Sequence, residues 1–204
     1  MITLSDETMA EGLAYLSAQD ADLARVVDQF GPPKLRRQPP GFATLLQIIL
    51  GQQVSRSAAA AMYDKLCAAI GPPQPAAFLT PDDESLRSIG FSRQKSRYGR
   101  ALATALIEKK LDLDRLGRSD DDTVRAALTA LPGIGPWSAE IYLLFALRRP
   151  DAWPASDLGV ILGAQKVKNL ADRPSRPEMD AMAERWRPWR GLAAFVLWHG
   201  YQLV

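Results

Sequence analysis

The chain has 204 residues, 47% of them hydrophobic, enough to bury a core as one domain or as two small lobes. With one cysteine, Cys67, and one histidine, His199, it has the means for neither a disulfide framework nor a clustered zinc or iron–sulfur site, so no metal or cluster cofactor is expected. A net charge of +2 is too mild to announce a nucleic-acid partner by itself, and no run approaches the roughly 18 apolar residues of a spanning helix.

The opening "MITLSDETMAEGLAYL" lacks a basic start followed by an apolar stretch, so a soluble, cytoplasmic protein with no membrane contact is expected. From there nearly every segment repeats its apolar residues at helical spacing, and none alternates long enough for a strand, which makes the fold all-α. Helices are predicted over 6–18, 21–30, 42–53, 56–70, 82–89, 93–111, 120–130, 136–148, 158–168, 177–186 and 189–201. Gly31-Pro32-Pro33 and Gly71-Pro72-Pro73 end two of them, because proline removes a helical hydrogen bond and glycine suits non-helical backbone. The Pro-rich "PPKLRRQPPG" of residues 32–41 is the best place for a lobe boundary inside a single 1–204 unit. Basic residues gather in 93–100 (Arg93, Lys95, Arg97, Arg100) and in the last third (Lys166, Lys168, Arg173, Arg176, Arg185, Arg187, Arg190). On their own these charges read as solvated helix faces.

The segment "LPGIGPW", residues 131–137, joins two helical patterns. Pro136 suits a first helical turn, so the Gly133-Ile134-Gly135 turn must be tight, with Ile134 plugging the gap between the helices. Main-chain N–H groups at such a helix start favour an anion, and a phosphate fits without any side chain; Ser138 is placed to add a hydroxyl. An ordinary helix–helix connection with no ligand satisfies the same residues.

"LPGIGPW" followed by Asp157 resembles the helix-hairpin-helix DNA glycosylase superfamily. Two further blocks carry the resemblance: "FATLLQIILGQQVS" (Phe42 to Ser55) is similar to its first core helix and following loop, and "ERWRPWRGLAAFVLW" (Glu184 to Trp198) to the C-terminal segment of its AlkA-type branch, 3-methyladenine DNA glycosylase II. The resemblance implies two helical lobes with an active-site cleft between them, and damaged bases in double-stranded DNA as the target of a monomeric, monofunctional enzyme of base excision repair. Members that also cut the backbone carry a lysine where this chain has Trp137, so no Schiff base with the sugar is expected from that position. The cysteines of the iron–sulfur loop of some relatives are absent, and there is no room for the β-rich N-terminal region of larger AlkA enzymes. Whether hairpin carbonyls hold a monovalent cation stays open.

The resemblance also assigns roles. Asp157 is the catalytic carboxylate, which stabilises the oxocarbenium ion formed as the base departs or orients the attacking water. As a plain structural feature it is an N-cap contributing about 1 kcal/mol, and the two roles are compatible. Gln53, with Gln52 beside it, falls at the wedge that fills the space of an extruded base; both could instead cap helix ends. Trp137 and Trp198 line an electron-rich base pocket, completed by Ile141 and Leu158 where the larger enzyme is aromatic. Trp186 and Trp189 are expected to be structural. Two other functions stay in view: a glycosylase of this fold for oxidised or deaminated bases, and a non-catalytic helix-hairpin-helix DNA-binding module.

Overall fold

A computed structural model describes residues 2–203. Among the described residues there are thirteen α-helices and no strand, and the chain divides into two compact units: residues 38–142, and residues 1–37 with 143–204. No described helix is long and apolar enough to cross a membrane.

The middle unit is built on α3 (Phe42–Gly51), whose seven buried residues leave almost no polar face; a helix apolar all round belongs in a core. It packs against α4 (Arg56–Ile70) and α7 (Arg93–Ile107). The rings of Phe42, Phe78 and Phe91 meet at centroid distances of 5.8 Å, and each fully buried large side chain contributes about 1.5–3 kcal/mol. α5 (Pro75–Phe78), α6 (Asp83–Ile89), α8 (Leu113–Gly117), α9 (Asp121–Thr129) and most of α10 (Pro136–Phe145) complete the unit. Ser55, Asp82, Ser92, Asp112 and Asp120 each accept a main-chain N–H three residues on, which starts the helix that follows. Tyr142 is fully buried, its hydroxyl accepting from Gly41 N at 3.2 Å, and burial pushes the phenol up to about 12.

The other unit joins α1 (Asp6–Gln19) and α2 (Ala21–Phe30) to α11 (Leu158–Val167), α12 (Arg176–Ala183), a 3-10 turn (Glu184–Trp186) and α13 (Arg190–Leu203). Every residue of α13 from Gly191 to Leu197 is buried, and the helix packs on α11, α2 and α1. Asp20, 5% exposed, caps α2 and accepts from Lys168 Nζ at 2.7 and 2.9 Å and from Trp186 Nε1 at 3.0 Å. That buckle ties the first helices to the C-terminal segment, so Trp186 is structural; Trp189 is also buried.

Four predicted helices end two or more residues early. α3 stops at Gly51, not 53, because Gln52 is extended and Gln53 takes φ 57°. α7 and α10 stop at Ile107 and Phe145, ahead of left-handed Lys109 and Arg148, and the predicted 177–186 helix breaks into α12 and the 3-10 turn. α5 and α8 were not predicted at all: four and five residues are too few to show a period.

Candidate active site

In the middle unit, α9 gives way after Thr129 to the turn that leads into α10 at Pro136. Ile134 donates its N–H to Leu131 O at 3.2 Å and is buried. Gly133 sits at φ 86°, and any Cβ there would run into the Tyr98 ring, so both backbone and space demand glycine. Gly135 is different: it is exposed, lacks a positive φ, and a Cβ on it would meet nothing within 4 Å. No neighbour in the chain requires its small size.

Two expected contacts fall elsewhere. Ser138, expected to offer its hydroxyl to a phosphate, is 2% exposed and its Oγ accepts from Gln52 Nε2 at 3.0 Å. Gln52, expected beside the wedge, also donates to Gly133 O at 2.8 Å, so its amide nitrogen is engaged by the hairpin. Gln53 is the exposed member of the pair, and its left-handed backbone costs a non-glycine residue about 1–2 kcal/mol. Lys95, read from sequence as part of a solvated cluster, donates Nζ to Leu50 O at 2.5 Å in the last turn of α3; burial lowers its amine below the usual lysine range. Arg100 is likewise occupied, by Leu79 O, Pro81 O and Asp83. Arg93 and Arg97 remain exposed, with the Arg97 guanidinium 5.4 Å from the centroid of the Tyr98 ring. Trp137 is half-buried at the start of α10, and Ile141, one turn on, is 5% exposed.

Asp157, Leu158 and Trp198 lie in the other unit. Asp157 N donates to Pro154 O at 2.9 Å, which turns the chain into α11, and Asp157 Oδ1 accepts from Val160 N at 3.0 Å as an N-cap. The same oxygen accepts from Trp198 Nε1 at 2.9 Å. Gly159 makes room for that bond, since a Cβ there would stand 2.9 Å from the Trp198 ring and 3.2 Å from Asp157 Oδ1. The Trp198 ring in turn packs on Phe145 and Phe195, at centroid distances of 5.7 and 5.6 Å. Sequence reasoning put Trp198 in a pocket wall and missed that its N–H orients the carboxylate; Phe145 and Phe195 carried no signal beyond apolar spacing. Leu158 is 58% exposed beside Asp157. Part of the basic last third is neutralised within the chain: Lys168 serves Asp20, while Arg187 and Arg190 share Asp151.

The chain belongs to the HhH-GPD superfamily of base excision DNA repair proteins, whose profile matches residues 46–190. A Mycobacterium tuberculosis protein named "Probable bifunctional transcriptional activator/DNA repair enzyme AlkA" is 35% identical across 92% of this chain and 39% of its own length. A DNA-3-methyladenine glycosylase of Bacillus subtilis is 28% identical, covering 78% of this chain and 57% of that protein. This chain thus spans between about two fifths and three fifths of these relatives. Among solved structures, a Schizosaccharomyces pombe 3-methyladenine DNA glycosylase in complex with abasic DNA superposes with a TM-score of 0.87 at 27% identity, covering 92% of this chain and 95% of that one.

Proposed function

We propose that this chain is a monofunctional DNA glycosylase that hydrolyses the N-glycosidic bond of alkylated bases such as 3-methyladenine in double-stranded DNA, acting as a monomer in the cytoplasm. The observation that carries this reading is Asp157, whose Oδ1 is held by the Val160 and Trp198 N–H donors. When the bond between the sugar and the base breaks, its electron pair leaves with the base and positive charge builds on the deoxyribose. A pre-oriented carboxylate stabilises that charge without reorganising, or directs the water that attacks the sugar carbon and loses its proton. An alkylated purine is already cationic, so it departs with little acid assistance, and an aromatic face contributes about 0.5–2 kcal/mol to holding it. Trp137 is the side chain suited to that contact.

The remaining parts serve delivery. Gln53, exposed at the loop after α3, fills the place of the extruded base, and the Gly133–Gly135 turn with the start of α10 takes a phosphate. With Trp137 where a lyase would need an amine, the product is an abasic site in an intact strand. The chemistry uses water and no resident cofactor. A monovalent cation at the hairpin would sit on main-chain carbonyls, of which Leu131 O and Gly133 O already accept one N–H each and keep a second lone pair. The names of the relatives support the substrate class. The test is excision from duplexes that each carry one modified base, followed by alkali and gel electrophoresis. Alkali-dependent breaks at alkylated bases are expected; breaks confined to oxidised or deaminated bases would change the substrate, and binding without any break would leave a non-catalytic module.

A further inference from the structure

Lys95 and Gln52 meet the same short loop from two sides, and the proposed reaction uses neither. Lys95 stands in the first turn of α7, where a lysine side chain ordinarily runs into solvent. Here its ammonium group reaches Leu50 O at 2.5 Å, a carbonyl at the end of α3 that the helix itself leaves without a donor. Two residues later Gln52 Nε2 bridges Gly133 O at 2.8 Å and Ser138 Oγ at 3.0 Å, one acceptor in the hairpin turn and one in α10. Ser138 is buried, so this bridge is part of the hairpin and not a surface contact. Tyr98, one turn beyond Lys95 on α7, packs its ring against Gly133, which closes the circuit from α7 to the hairpin. Between these anchors Gln53 is displayed to solvent in a left-handed conformation that an unheld glutamine would leave.

We propose that Lys95 and Gln52 are positioning residues for base extrusion: they lock the loop after α3 to α7 and to the hairpin, so that phosphate capture and insertion of Gln53 are performed by one rigid piece. This rests on the reading of Gln53 as the wedge. A loose loop would bind the backbone and still fail to drive a base out, because an element that must be ordered during insertion adds its own entropy cost to unstacking.

The experiment compares single-turnover excision at saturating enzyme for one lesion in a stable pair and in a mismatch, where extrusion is easier. Lys95→Met and Gln52→Leu are each expected to lose about tenfold in the stable pair and less than about threefold in the mismatch. Lys95→Arg, which restores a donor to Leu50 O, recovers the stable-pair rate. In a Gln53→Ala background, adding Gln52→Leu costs little more, since nothing is left to position. Equal losses in both contexts, or losses that add to Gln53→Ala, would overturn the proposal and leave Lys95 and Gln52 as ordinary fold contacts. If Gln53→Ala itself shows no dependence on context, the wedge reading falls and the bracing role with it; if Gln53→Ala shows it and the two brace variants do not, only the brace falls. Should Gln52→Leu fail to fold, Gln52→Asn, which keeps the amide and shortens its reach, replaces it under the same criteria.

Discussion

Asp157→Asn separates charge from shape at the centre of the proposed mechanism. The asparagine side-chain oxygen can occupy the Oδ1 position and accept from both Val160 N and Trp198 Nε1, and asparagine caps helices about as well as aspartate. Folding stability is therefore expected to fall by no more than about 1–2 kcal/mol, most of it from trading charge-assisted bonds for neutral ones. The barrier is a different matter. A full charge about 4 Å from a developing cation, at an effective dielectric near 20, stabilises it by about 4 kcal/mol, so its removal costs a factor of roughly a hundred to a thousand in rate. The assay is single-turnover excision of a neutral damaged base, with thermal melting of the variant alongside. DNA affinity should hold or rise slightly, because a negative charge near the phosphodiester backbone has gone. Excision of the neutral base within about threefold of the normal rate would refute the catalytic assignment and leave Asp157 as a cap. A cationic alkylated base is the weaker substrate for this test, since it departs with less help.

Trp198→Phe keeps a ring against Phe145 and Phe195 but removes the N–H on Asp157 Oδ1, and is expected to slow excision about tenfold with DNA affinity unchanged, as seen by titration. Gly133→Ala should damage the hairpin and lower the melting temperature, whereas Gly135→Leu, with nothing inside the chain to strike, should melt normally and bind DNA more weakly; unaltered affinity in the Gly135 variant would remove the phosphate from the hairpin. Borohydride should trap no covalent enzyme–DNA adduct, and a trapped band would point to an amine nucleophile other than one at position 137. Lys168→Met leaves Asp20 buried without its cation and should destabilise the unit by about 3–5 kcal/mol in denaturant titration, with excision by the folded fraction intact.

Helix existence was legible because periodicity and caps are local: Ser55, Ser92, Asp120 and Asp157 each stand just ahead of a helical pattern and each caps it. Helix ends were less so. Nothing in "GQQVS" says that Gln53 will adopt φ 57°, because glutamine has no preference for the left-handed region and is held there by contacts distant in sequence. The Lys95 bond spans 45 positions and the Gln52 bond to Gly133 spans 81, distances over which neither pattern nor propensity carries information. The same holds for the charges: Lys168 looked like one of the seven basic residues between positions 166 and 190, and only the fold brings Asp20 to it.

The two glutamines show how the site divides between what is local and what is not. As neighbours of identical chemistry they are indistinguishable in sequence, and each could cap, wedge or brace. The backbone separates them. Extended geometry at Gln52 points its amide nitrogen at Gly133 O and Ser138 Oγ; left-handed geometry at Gln53 leaves its amide in solvent. A half-buried amide whose nitrogen already donates twice inside the chain is held by the hairpin, while an exposed one on a strained backbone has no internal reason for its place. Asp157 obeys the same logic from the opposite direction. Its capping bond was readable from "SDLGV", but a cap alone does not need a tryptophan 41 positions away, nor a glycine at 159 to let that indole approach. Those two features hold one carboxylate oxygen against an indole N–H, an arrangement that capping alone does not require.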